Sequence, residues 1–309
     1  MTKKVLEYAI RTVNDGHDDF LWLIDLNKRL IDDTKTNNPN DSNFLFTFKE
    51  CHFLRQSAIA YLGAISTLLK DKGYDVLYSF ATMKDSVLGM LKKDGFLSSN
   101  FGPRFSEDNT ISADAIRFTS FRGNIKESEE LSVKIVKYIQ EEWLKDSLIE
   151  IRPKLKSDLT AKMYELFANA LEHAQSPVGC FSCGQSYNED KEIVLTIVDL
   201  GIGIVKSVQD YFLINEDEIT EENAIKWALK SGNTTRLDNS GGLGLSLIYD
   251  FLKINSGSMD IYCNGVFLRI TQGKMKVNAL PTDFSGTMIN IRMTKQNNVR
   301  YGYQNEFKD

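Results

Sequence analysis

The stretch Glu165-Leu166-Phe167-Ala168-Asn169-Ala170-Leu171-Glu172-His173-Ala174 constrains this chain more than any other. Residues four apart lie nearly above one another on a helix, so Glu165, Asn169 and His173 fall on one side, with Lys162 and Glu172 beside them. Leu159, Met163, Leu166, Phe167, Ala170, Leu171 and Ala174 cover the other side, an apolar arc wide enough to pack on a sheet. The spacing therefore predicts a helix that presents a carboxylate, an amide oxygen and an imidazole along one line. A carboxylate can take a proton from a nucleophile. An amide oxygen is a hard, neutral ligand of the kind magnesium accepts when it is shared with substrate phosphates. An amphipathic helix with a solvated polar face has the same pattern, and the helix alone does not separate the two readings.

Three glycine-bearing turns follow in order. Ile193-Val194-Leu195-Thr196-Ile197-Val198 reads as a buried strand, β-branched and mostly apolar, ended by Asp199 and followed by Gly201 and Gly203. A carboxylate at a strand end can accept from an exocyclic amine, and glycines beside it let the backbone approach a planar ring. Asp and Gly also end strands for purely local reasons. Next, Gly241, Gly242 and Gly244 run into Leu245-Ser246-Leu247-Ile248-Tyr249-Asp250-Phe251-Leu252, which has helical periodicity. Glycines that open a helix expose unpaired N–H groups, an anion site. A dinucleotide-binding fingerprint is excluded because residues 234–240 are no strand, and a Walker loop because no Gly-Lys-Ser/Thr follows. Last comes Ser285-Gly286-Thr287.

In combination these residues resemble the histidine-kinase-like ATPases, the GHKL superfamily with its Bergerat fold, over roughly residues 115–295. The resemblance implies an α/β, sandwich-like domain with helices on one face of a mixed sheet, binding ATP and Mg2+. It implies Glu165 as general base, Asn169 as the magnesium ligand and Asp199 as the partner of the adenine amine, with Gly201 and Gly203 beside the base. Gly241, Gly242, Gly244 and Leu245 would hold the phosphates, and Gly286 and Thr287 would support the adenine through water. The segment between the first two turns would be a lid, with a helix from about Thr220 to Lys230 ended by Gly232. Thr235 and Arg236 stand just before the phosphate turn, where they could reach the terminal phosphates or lie solvated in the loop. His173, one turn past Asn169, could support Glu165 or a phosphate, or simply pack at the surface.

At 309 residues the chain suggests two domains. Residues 1–110 contain two βα units: a strand at 44–48, a helix marked by Ala58, Leu62, Ile65 and Leu69, a strand at 75–80 and a helix at 83–93. Their order resembles the STAS domains of anti-sigma-factor antagonists over about 60 residues, which implies a small α/β regulatory unit. Ser57 stands where some of those domains accept phosphate, but the usual Asp-Ser-Ser-Gly surroundings are absent, and Ser57 is expected to cap the helix. A linker at 100–109 and a helix from Ser128 to Asp146 would lead into the ATP-binding unit, 111–309. Cys180 and Cys183 lie three apart on an expected strand and point to opposite faces, so a shared zinc is not expected. The net charge of −5 disfavours nucleic acid as the main partner. No signal-peptide core and no apolar run of ~20 residues is present, so a cytoplasmic protein is expected, and the resemblance implies a bacterial signalling role. A homodimer stays open.

None of His17, His52 and His173 has the acidic neighbour and nearby proline of a histidine-kinase phosphoacceptor. Thr287 stands close to the end of the sequence, so the lysine-delivering domain of clamp ATPases is not expected. Two readings remain: an Mg-ATP-dependent ATPase or serine kinase of the anti-sigma type, and a nucleotide-gated switch that acts on a protein partner through the N-terminal unit.

Overall fold

The computed structural model describes residues 3–102, 105, 112–230, 233, 246–296 and 298–307. The chain begins with three parallel strands, β1 (Lys4–Ala9), β2 (Ser42–Thr47) and β3 (Asp75–Tyr78), in the order β1-β2-β3. Two helices connect them, α1 (His17–Thr36) and α2 (Gln56–Asp71). The strands alternate: Leu6, Tyr8, Phe44, Phe46, Val76 and Tyr78 point into the core, while Val5 and Leu77 face out. Two short helices, α3 (Asp85–Lys93) and α4 (Phe96–Phe101), close this part.

The second part contains β4 (Ala115–Phe121), α5 (Glu129–Tyr138), β5 (Glu150–Ile151), α6 (Pro153–Ala168), β6 (Cys180–Tyr187) and β7 (Glu192–Asp199). Then come α7 (Ile204–Ile214), α8 (Glu221–Leu229), α9 (Ser246–Asn255), β8 (Ser258–Thr271), β9 (Lys274–Thr294) and β10 (Arg300–Tyr301). Five strands form one sheet in the order β4-β6-β7-β9-β8. Every pairing in it is antiparallel, which corrects the expected mixed sheet. For two of the four pairings the reason is local: β6–β7 and β8–β9 are hairpins, and a hairpin can join only antiparallel strands.

α5, α6 and α9 pack on one face of this sheet, burying Leu159, Met163, Phe167, Ile248 and Phe251 with Leu195 and Ile291. The other face is covered by α1 and α2, so Phe118, Phe181, Val198 and Met288 share a core with Phe20, Tyr61 and Phe46. The layers therefore run sheet, helices, sheet, helices, and the two parts of the chain share one hydrophobic core. α2 lies between two sheets and is buried all round, as a helix in that place has to be: residues from Gln56 to Ser66 are buried without interruption. Similarly, β7 is buried on both faces from Ile193 to Asp199.

Ser128 caps α5 as expected, its Oγ accepting from Leu131 N at 3.2 Å. Ser57 does not cap α2. The helix starts after Arg55, and Ser57 is fully buried, donating its hydroxyl to the Asp15 carboxylate. Cys180 packs with the α6 side of the sheet and Cys183 with the α2 side. All four thiols are free and buried. Among the described residues no helix is long and apolar enough to cross a membrane.

Candidate functional site

α6 is fixed at its start by two groups. Pro153 occupies the first turn, where its missing N–H costs nothing. Glu306, from the C-terminal segment, accepts from Lys154 N at 2.8 Å, placing a carboxylate at the positive end of the helix. The apolar arc read from the sequence is the buried face. Past Ala168 the helix widens into one π-helical turn, Asn169–His173, closed by Ala174 N donating to Asn169 O at 3.0 Å. Such turns are rare and concentrate at functional places.

Glu165, Asn169 and His173 are all half-buried on this helix. Glu165 Oε1 accepts from Lys162 Nζ at 2.7 Å, and Glu165 Oε2 is buried without a hydrogen-bond partner among the described residues. His173 Nε2 lies 3.9 Å from Glu172 Oε2, and Lys126 approaches the same carboxylate oxygen at 4.0 Å.

The Asp199 turn docks on the end of this helix. Ile202 N donates to Ala174 O at 2.6 Å, and Leu200 N to Ser176 Oγ at 3.4 Å. Gly201 packs so closely there that a Cβ would overlap the Ala174 carbonyl oxygen. Asp199 is 2% exposed. Its Oδ1 accepts from Gly201 N at 3.0 Å, and Thr287 stands opposite it on β9, where its hydroxyl and backbone N–H favour the charged form. Burial outweighs these groups and pushes the carboxyl up to about 7. The site is thus a dry carboxylate at a strand end, with Gly201 on one side, Thr287 on the other and the motif helix adjoining.

Sequence reasoning missed Asn264 on β8. Its Nδ2 donates to Ile202 O at 2.9 Å and its Oδ1 accepts from Lys206 N at 3.2 Å. It thereby holds both the turn after Asp199 and the first turn of α7. Gly203 opens α7 with φ of 82° and has no side chain to cap it, so a residue 61 positions later supplies the acceptor. A lone asparagine in a strand carries no motif, and only the three-dimensional neighbour reveals it. α7 was also unassigned, although Val205, Val208 and Phe212 have helical spacing. The helix expected from about Thr220 to Lys230 is present as α8, where Thr220 Oγ1 accepts from Asn223 N at 3.3 Å.

Thr235, Arg236, Gly241, Gly242, Gly244 and Leu245 lie outside the described residues, as does Gly232. The helix they lead into, α9, packs beside α6. Among the described residues no three His, Cys, Asp or Glu side chains gather as a metal site. Compared with known proteins, the chain matches no family model and no curated sequence.

Proposed function

We propose that this chain binds Mg-ATP between α6 and the ends of β7 and β9, and that it removes the γ-phosphate, by hydrolysis or by transfer to a protein serine. The observation that carries the reading is the buried Asp199 carboxylate, set between Gly201 and Thr287 against the end of the Glu165/Asn169 helix. A carboxylate this dry is costly to keep. An exocyclic amine donating to it would offset that cost, and adenine carries one. In this reading Asp199 orients the purine and Thr287 backs it. Glu165 accepts the proton of the attacking water or serine hydroxyl, and the Asn169 amide oxygen holds the metal. A single amide donor suits an ion that takes its other ligands from phosphate oxygens and water. When bound, Mg2+ would neutralise charge on the terminal phosphates. Thr235, Arg236 and the 241–245 turn would complete the phosphate side, with His173 one turn past Asn169.

The experiment is a calorimetric titration with Mg-ATP, followed by single turnover with γ-labelled ATP and separation of free phosphate from labelled protein. Nucleotide at about 100 times its Kd should stabilise the fold by about 2.7 kcal/mol. Asp199→Ala should abolish most of that gain. No heat and no stabilisation at millimolar nucleotide would end the proposal.

A second reading, a nucleotide-gated switch with little turnover, is favoured by the shared core. α1 and α2 lie directly on the back of the sheet that carries Asp199, so closure around a ligand bears on the N-terminal layer. Binding without product over hours would select it.

A further inference from the structure

The two oxygens of Glu165 are in different circumstances. Oε1 is bound by the Lys162 ammonium at 2.7 Å. Oε2 has lost water and gained no protein donor among the described residues. An i,i+3 ion pair on an open helix face contributes little and leaves both oxygens solvated. A buried, unpaired carboxylate oxygen is unfavourable. A fold that keeps one at a half-buried position holds a strong acceptor with no described residue competing for its lone pairs. Lys162 and Glu165 are 34% and 28% exposed, so neither is an open-surface group.

We propose that Lys162 is a positioning residue for phosphoryl transfer: by holding Oε1, it presents Oε2 as the atom that receives the nucleophile's proton. This rests on the Mg-ATP reading given above. In the step, the oxygen of water or of a serine hydroxyl forms a bond to the γ-phosphorus. The bond from that phosphorus to the β,γ-bridging oxygen breaks, and its electron pair leaves with ADP. The nucleophile's proton passes to Oε2. Lys162 touches no reacting atom. Its three N–H donors can hold the carboxylate but cannot accept the proton, so base and holder stay distinct.

The test uses the full chain with Lys162→Met, Lys162→Arg, Lys162→Gln, Glu165→Ala and the double variant Lys162→Met/Glu165→Ala. Mg-ATP Kd, KM, kcat and thermal melting are measured for each. Lys162→Met should lower kcat about 10- to 100-fold while Kd and KM stay within about twofold, the cost of a displaced catalytic group. Lys162→Gln should resemble it, and Lys162→Arg should recover most of the rate. The double variant should be no slower than Glu165→Ala. A wild-type kcat in Lys162→Met, a further loss in the double variant, or a Kd loss as large as the kcat loss would overturn the role, the last by showing direct phosphate contact. A wild-type chain that binds no Mg-ATP, or never turns it over, fails the catalytic reading itself and this role with it. Turnover abolished by Glu165→Ala and unchanged by Lys162→Met overturns the Lys162 role alone.

Discussion

Asp199→Asn should make the protein more stable at alkaline pH and worse at binding. In the folded chain burial drives the Asp199 carboxyl up to about 7, against a value of 3.8 for the free group. The folded state therefore holds a proton that the unfolded state has released, throughout the window from about 4 to 7. Stability falls as pH rises through that window, by up to about 1.4 kcal/mol per pH unit. Below about 4 both states are protonated and the penalty vanishes. Above about 7 it is complete, on the order of 4 kcal/mol for the whole shift. Asn cannot ionise, so the variant escapes the penalty while still offering an oxygen to Gly201 N. The variant's advantage over wild type should grow by roughly 2–3 kcal/mol between pH 5 and pH 8. Urea unfolding of both proteins at the two pH values measures this directly, with unchanged m-values as the control for two-state behaviour. An advantage equal at the two pH values, within about 0.5 kcal/mol, would refute the claim that Asp199 is a desolvated carboxyl. The same variant should lose Mg-ATP affinity, because a charge-assisted bond contributes ~1.5–3 kcal/mol.

Glu165→Ala should retain nucleotide binding by calorimetry while phosphate release or transfer falls to background, and a wild-type rate would remove Glu165 as base. Gly201→Ala should destabilise the fold by about 1–3 kcal/mol in urea, because its methyl group would overlap the Ala174 carbonyl. Binding should weaken with it as the Asp199 turn lifts from α6. Ser57→Ala should cost about 1–3 kcal/mol by leaving the fully buried Asp15 short of its hydroxyl donor. A neutral result in the unfolding assay would mean that Asp15 finds another partner.

Local pattern made part of this molecule legible. The apolar arc of α6, the Ser128 and Thr220 caps and the strand ending at Asp199 are each set by neighbours within a few residues. The layering was also written in the sequence, in a signal easily passed over. From Ala58 to Ile65 α2 carries no charged or amide side chain, and β7 from Ile193 to Val198 is apolar on both faces but for Thr196, so each has to be covered on two sides. Reading only Ala58, Leu62, Ile65 and Leu69 gives α2 one buried face and separates the two parts of the chain. α1 carries Phe20, Leu23, Ile24 and Leu30 at helical spacing and was likewise available. Other features depend on distant partners and had no local signal. Among these are the Glu306 cap on α6, the Asn264 clamp on the Asp199 turn and the Ser57–Asp15 pair.

That pair belongs to a polar seam joining the N-terminal layer to the sheet behind Asp199. Asp260 on β8, Asn290 on β9 and Thr196 on β7 stand opposite one another across three strands, all buried. Arg292 donates to Asp260 Oδ2 at 2.8 Å and to the Asp15 backbone oxygen at 2.9 Å, tying the sheet to the loop before α1. Asp15 is wholly buried, and its carboxyl is raised by that burial against the pull of Ser57, Arg292 and Arg55. Thr196 and Asn290 lie three residues along their strands from Asp199 and Thr287. A buried polar network is rigid when satisfied and costly when broken. A shift of the β7 and β9 ends around a ligand therefore has two outcomes: it carries the α1/α2 layer with it, or it breaks bonds each worth about as much as a ligand contact. In the proposed function, the free energy of nucleotide binding and the position of the N-terminal layer are in this way set against each other by residues that touch no ligand.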